Sequence, residues 1–311
     1  MAFLSGAYNS KDWVVIALHA DRVDLACVKR KPGGRPEVAL LDSYRKESGE
    51  KEALARLRKG LRLANYRCAT LLAQGEYQML QVETPAVAAA EVKEAVRWRI
   101  KDMLDFPPDV ATLDVLNIPT DSTGKSRQIF VVAANNALIG ARMALFDEAK
   151  IPLEVIDIQE SAQRNIAALF EVPNRGLALL AFDESGGLLT FTYKGELYLS
   201  RRIEVTLSQL TQADADRRQQ LFERIGLELQ RSLDHFDRQF SFISLAKLLV
   251  APIAGVPEFF DYLRGNLYVP IEPLDLAQVL DFPAIPELKN SARQAQCLHI
   301  IGAALRDEVM A

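Results

Sequence analysis

Cysteine and histidine are scarce in this sequence, three of each among 311 residues, and neither is spaced to hold a metal. Cys27, Cys68 and Cys297 lie far apart, form no Cys-X-X-Cys pair and sit beside apolar residues, so they are expected as buried free thiols. That usage fits a reducing compartment. His19, His235 and His299 are isolated, which leaves no zinc-ligand spacing. No apolar run reaches the roughly 18 residues of a membrane span, since Lys247 and Pro252 interrupt the best candidate, 245–256. The N-terminus lacks a basic-then-apolar signal pattern, so the expectation is a cytoplasmic protein whose membrane connection is indirect. Positive charge is not in excess: the net charge of −4 argues against a nucleic-acid partner, which needs a basic surface.

The common enzyme motifs are missing too. There is no Gly-X-Gly-X-X-Gly and no Gly-X-Ser-X-Gly. Gly124-Lys125-Ser126 ends like a phosphate loop, but Pro119 stands where its first glycine belongs, and the segment joins two expected strands; it reads as an exposed turn. Asp214 and Asp216 lack the glycine and terminal acid of a calcium loop. They read as a helix start, where acids meet the positive end of the dipole.

What is present is the pattern of a two-lobed α/β protein. With 49% hydrophobic and 25% charged residues, the chain is long enough for two domains or one two-lobed body. Segment 13–29 reads as two strands around a turn at 19–21, 38–44 as a third, 51–64 as a helix and 67–73 as a buried strand. Segment 89–104 is a periodic helix with its apolar stripe on Val92, Ala95, Val96, Ile100, Met103 and Leu104, stopped by Phe106-Pro107-Pro108. Strands at 112–118 and 128–134 and a helix at 136–149 complete an α-β-β-α set. A strand at 151–157 and a helix at 159–170 follow. The long helix 215–239 repeats Leu221, Ile225, Leu229, Leu233 and Phe236 on one face. Strands at 247–251 and 269–273 flank a helix at 257–266, and a helix at 292–305 closes the chain.

Segment 177–203 carries the most chemistry. It reads as strands joined by a Ser185-Gly186-Gly187 turn, with Asp183 at the end of the first, and by a second turn at Lys194-Gly195. An acid followed by a small-residue turn is how a hairpin presents backbone N–H groups to phosphate. On the long helix, Glu228, Arg231 and Asp234 follow one another at three-residue spacing. They read either as surface ion pairs or as contacts to a ribose and adenine edge in a cleft.

The order of these elements resembles the actin-like PilM family of type IV pilus assembly proteins, and within it the MshI members that serve MSHA pili. The resemblance rests on EAVRWRIKDMLDFPPDVATLDVL (94–116), LQRSLDHF (229–236) and IGAALR (301–306), and it extends over nearly the whole chain. It implies an actin-like, ribonuclease-H-like α/β fold with an inserted α-β-β-α subdomain: 1–83 with 151–176 as the first lobe, 84–150 as the insert, and 177–311 as the second lobe, its C-terminal helix packing back on the first. It implies ATP or ADP with Mg²⁺ in the cleft, contacted by Asp183, Ser185, Gly186, Gly187, Glu228, Arg231 and Gly255. The family's first phosphate hairpin, approximately Asp-Ile-Gly-Ser, is matched here by Ala17-Leu18-His19-Ala20, which removes the metal-orienting acid and the glycine. Glu184 beside Asp183 adds negative charge, and Ala251-Pro252 replaces a late Gly-Gly turn, Pro252 removing a donor. The site therefore reads as eroded, with nucleotide weakly held or lost and no catalytic or metal residue assigned.

By the same resemblance the partner is the N-terminal cytoplasmic tail of a PilN-like bitopic inner-membrane protein, held between the first lobe and the insert, with an assembly ATPase as a further partner. Val92, Val96 and Trp98 are the expected peptide contacts. Trp98 falls on the polar face of its helix, with Glu91, Glu94, Lys101, Asp102 and Asp105. Such a ring either covers the Phe106-Pro107-Pro108 corner, meets the first lobe, or anchors the partner. An active ATPase that couples nucleotide to lobe closure is the competing reading, and a small-metabolite kinase a third.

Overall fold

The computed structural model describes residues 12–31, 33–47, 49–120 and 127–306. The Gly124-Lys125-Ser126 turn lies outside the described residues.

The same strand pattern is built twice. In the first sheet, β1 (Trp13–Leu18), β2 (Arg22–Lys29) and β3 (Glu37–Arg45) form an antiparallel meander, and β4 (Arg67–Leu71) and then β8 (Leu153–Asp157) add parallel to β1, giving the order β3-β2-β1-β4-β8. In the second, β9 (Gly176–Asp183), β10 (Gly186–Tyr193) and β11 (Glu196–Ile203) make the meander. β12 (Leu245–Val250) and β13 (Ile271–Pro273) add in parallel, giving β11-β10-β9-β12-β13. The central strands are buried on both faces because helices cover both sides of a parallel sheet. In β1, Val14 and Ile16 face one apolar core while Trp13, Val15 and Ala17 face another.

Helix α1 (Glu50–Leu61) covers the outer face of the first sheet through Leu54, Leu57 and Leu61. The 25-residue α6 (Ala215–Gln239) covers the second through Leu221, Ile225, Leu229, Leu233 and Phe236, as its period predicts. It is capped by the Asp214 side chain, which accepts from Arg217 N–H at 2.8 Å. The short α5 (Leu207–Gln212), closed by a Thr206–Gln209 capping box, and α7 (Glu258–Asn266) complete that side.

Between the sheets lie α4 (Gln159–Phe170) and α9 (Leu298–Ala304). They pack on each other, α4 reaching the second sheet and α9 the first. The C-terminal helix expected at 292–305 is two helices, α8 (Ser291–Gln296) and α9, parted at Cys297. Buried Gln294 ties α8 to the Leu276 N–H and the Leu288 carbonyl, whereas α9 packs on α4 and on the first sheet.

A third sheet, order β5-β7-β6, contains β5 (Tyr77–Glu83), β6 (Ala111–Asn117) and β7 (Gln128–Asn135), all antiparallel. Helix α2 (Val92–Arg99) covers one face, with Val96 and Ile100 fully buried on Ile129, Val131 and Leu113. Helix α3 (Asn136–Glu148) follows β7, capped by Asn135, which accepts from Ala137 N–H at 2.8 Å. Strand β5 has no counterpart in the sequence reading, and its pairing with β7 starts this sheet before Thr84 rather than after it.

Candidate functional site

Parallel strands in both large sheets point their carboxyl ends at the space between them, where ligands of open α/β sheets bind. The ends of β4, β8 and β9 bring Gln74, Asp157, Gln159 and Asp183 there, and the first turns of α4 add Glu160 and Gln163.

Arg202 dominates this cleft. From β11 it reaches Glu160 with Nη2 at 2.7 Å and Nε at 3.2 Å, Gln159 Oε1 with Nη1 at 2.8 Å, Gln74 Oε1 with Nη1 at 3.2 Å, and the Tyr77 hydroxyl with Nη2 at 2.6 Å. Every guanidinium N–H therefore has an acceptor, and these acceptors come from the first lobe, α4 and β5. Tyr77 in turn donates to the second oxygen of Glu160, which is 2% exposed. Burial, with the Glu160 carboxylate beside it, holds the Tyr77 phenol well above its ordinary pKa. Burial opposes the Arg202 charge, but Glu160 and Tyr77 outweigh it and raise its pKa.

The 183–187 hairpin borders this cluster. The Asp183 carboxylate accepts from Ser185 N–H at 2.7 Å and from Gln159 Nε2 at 3.2 Å. The turn thus directs one of its donors to its own acid. A Cβ on Gly186 (φ +136°) would meet the Ile203 carbonyl at 2.8 Å, and one on Gly187 would meet the Phe182 ring at 2.6 Å. Both glycines are needed for packing within the hairpin. Next to it, His299 holds Nε2 3.2 Å from Gln163 Oε1 and Nδ1 3.9 Å from Asp183 Oδ2. Burial pushes the imidazole pKa down against the pull of Asp183. Asp157 is paired with Arg306 at 2.6 Å.

The first hairpin offers little to an anion or a metal. Ala17 is buried, and His19 Nε2 lies 2.9 Å from Asp24 Oδ2. Burial alone would raise the Asp24 pKa, but hydrogen bonds from His19 and Ser43 and the charges of His19 and Arg22 bring it down to about 2. Among the described residues no group of three His, Cys, Asp or Glu side chains could hold a metal ion. These donors fit a Mg²⁺–polyphosphate poorly: Ala17 offers no ligand, the Arg202 donors are all engaged, and Ser185 N–H is turned to Asp183.

The remaining sequence candidates are dispersed. Gly255 (φ +77°) sits in the turn after β12 with open space at its Cβ position. Glu228 and Arg231 pair with each other at 3.3 Å on the exposed flank of α6. Trp98 is 57% exposed on α2. Val96, expected to face a partner, is fully buried in the insert's own core, and Val92 is half-buried against the same core. The apolar stripe of α2 is consumed by the sheet it covers, and Val96 is not a surface contact. Sequence reasoning missed Gln74, Tyr77, Glu160, Arg202 and His299. One signal was available: Glu160, Ser161 and Gln163 are polar in a helix whose remaining buried positions, Ala162, Ile166, Ala167 and Phe170, are apolar.

A second concavity lies between the third sheet, α4 and the second sheet. It encloses about 350 Å³ between β6, with Val115, Leu116 and Asn117; α4, with Ser161 and Arg164; and the start of β11, with Glu196.

Comparison with known proteins bears on the fold. No family profile matches the chain, and no curated protein matches it. Solved structures do. A PilM–PilN type IV pilus biogenesis complex superposes with a TM-score of 0.70 at 17% identity, covering 96% of this chain and 97% of that one. A Bacteroides thetaiotaomicron protein with an actin-like ATPase fold and unknown function gives 0.50 at 8% identity, covering 92% and 95%. With its twice-repeated sheet, the chain has the two-lobed actin-like fold. Among the described residues no helix is long and apolar enough to cross a membrane.

Proposed function

We propose that this chain is an actin-like scaffold of a type IV pilus machine of the MSHA kind. It holds the N-terminal cytoplasmic tail of a PilN-like bitopic inner-membrane protein, and its own nucleotide site is eroded. The observation that carries the reading is Arg202, whose guanidinium fills the cleft and is saturated by the chain's own acceptors. Lobes joined in this way hold one relative position without a nucleotide, as suits a scaffold more than a cycling ATPase. The superposition on a complex of PilM with PilN supports a PilN-like partner. In this reading the protein is cytoplasmic, and the partner's tail keeps it at the inner membrane. In this reading the lobes are 1–83 with 151–176, and 177–311, and the insert is 84–150, with β5 at the end of the first segment pairing with the insert's β7.

The competing reading is an active ATPase, favoured by the retained Asp183 and by Gly186 and Gly187, which open β10 after the Glu184-Ser185 turn. A pull-down from solubilised inner membranes, with and without ATP and Mg²⁺, separates the two. Nucleotide-independent capture of a small bitopic protein is the expected result. ATP-dependent release would establish the ATPase instead, and capture of no bitopic protein would remove the scaffold.

A further inference from the structure

Strand β6 is an outer strand of its sheet, and among the described residues it pairs only with β7. Ile118 N–H donates to the Gln128 carbonyl across the ladder. Backbone groups alternate sides in an antiparallel pair, so Leu116 and Asp114 also face β7, while Leu113, Val115 and Asn117 face outward. Two contacts agree with this phase. The Ala111 carbonyl, on the outward side, accepts from Arg97 Nη1 at 2.8 Å, and the Val115 N–H bonds the Asp114 side chain at 2.9 Å. Among the described residues the outward groups of Leu113 and Asn117 and the Val115 carbonyl have no hydrogen-bond partner, and the far half of this edge lines the 350 Å³ concavity.

The floor of that concavity is α4. Ser161 and Arg164 lie one turn apart and both line it. Arg164 is half-buried, yet among the described residues its hydrogen bonds go only to the Asn165 amide oxygen, at 3.0 and 3.3 Å, and no carboxylate pairs with it. A half-buried guanidinium without a counter-ion is a ready partner for an incoming acid. Glu196, which also lines the concavity, disfavours a second one.

We infer that an extended peptide adds to the outward edge of β6 as a fourth strand and places an acidic side chain on Arg164. Main-chain hydrogen bonds supply affinity and the concavity supplies selection, the logic of strand addition. The inference takes from the proposed function only that the partner is a peptide, and adds the strand it pairs with and the charge it carries.

The test uses the full chain and a phage-displayed library of linear peptides. Wild-type selections are expected to enrich peptides with an aspartate or glutamate at a fixed position. Synthetic versions should bind Asn117→Pro at least about tenfold more weakly, because proline removes an outward donor and leaves the β6–β7 ladder intact. Arg164→Glu should weaken them similarly and, when panned itself, enrich basic peptides. Hydrogen exchange on the wild type adds a readout independent of variant folding: the Asn117 and Leu113 amides should slow when a selected peptide binds. Equal binding to Asn117→Pro and wild type, indifference to charge reversal at Arg164, unchanged exchange at Asn117, or no enriched peptide would each overturn the inference. Capture of a bitopic protein that is insensitive to Asn117→Pro overturns it while sparing the scaffold reading. Acidic peptides on β6 with no bitopic protein captured from membranes do the reverse.

Discussion

Gly302 and Ala162 bring α9 and α4 into backbone contact: a Cβ on Gly302 would lie 2.1 Å from the Ala162 carbonyl oxygen and 3.1 Å from Ile166. No rotamer relieves a clash with main chain. Gly302→Ala must therefore separate the two helices that join the lobes, and the expected loss is about 3 kcal/mol, the upper range for overpacking. Urea unfolding measures it. A variant with the wild-type midpoint would show that the crossing is looser than this.

Arg202→Met should be costlier. It leaves Glu160 charged and buried, with Gln74 and Gln159 also losing their donor, and breaking a buried pair costs about 3–5 kcal/mol. Adding Glu160→Gln should restore most of that loss, since the orphaned charge is gone. If the double variant is as unstable as the single one, the guanidinium acts through packing rather than charge.

The acid limb of stability should depend on His299. Burial lowers its folded-state pKa below the unfolded value of about 6.5. The unfolded state then binds more protons as pH falls, so the contribution is complete above about pH 6.5 and is lost below it. His299→Gln should flatten the stability profile on the acid side of pH 6.5. An unchanged slope would place the titration elsewhere.

Purified protein should release phosphate from ATP no faster than buffer, because Ala17 and His19 stand where the resembling family has an acid and a glycine. Ala17→Asp with His19→Gly should raise nucleotide affinity, measured by equilibrium dialysis. Mg²⁺-dependent turnover that co-purifies with the wild type would contradict the eroded site.

Trp98→Ala should leave the melting temperature nearly unchanged, since the ring is 57% exposed, and should weaken capture of the bitopic partner at least about tenfold, or ~1.4 kcal/mol. A large fall in stability would make the ring structural. Full capture by a stable variant would remove it from the partner's path.

How much of this was legible depended on the range of the interaction. Helix α6 could be read from Leu221, Ile225, Leu229, Leu233 and Phe236, and the hairpin from Ser185-Gly186-Gly187, because both are local patterns. Strand β5 was not read: Tyr77–Glu83 mixes Gln78 and Gln81 with apolar residues, and Met79-Leu80 breaks its alternation, although the Gly75 turn before it was a signal. The cleft was out of reach for another reason. Arg202 meets Glu160, Gln74 and Tyr77 across separations of 42, 128 and 125 residues, which no spacing rule reaches. Val96 shows a third limit. Periodicity marked it as facing something apolar, and only the fold reveals that the something is the insert's own sheet.

The placement of α9 has a consequence for biosynthesis. Trp13 and Val15, among the first described residues of the chain, share one core with Ile301, Ala303 and Ala304 near the other end. A nascent chain therefore lacks the α9 side of this core until residues 298–304 have left the ribosome. A ribosome stalled before residue 298 should release a fragment that exposes the apolar residues α9 covers, which favours aggregation.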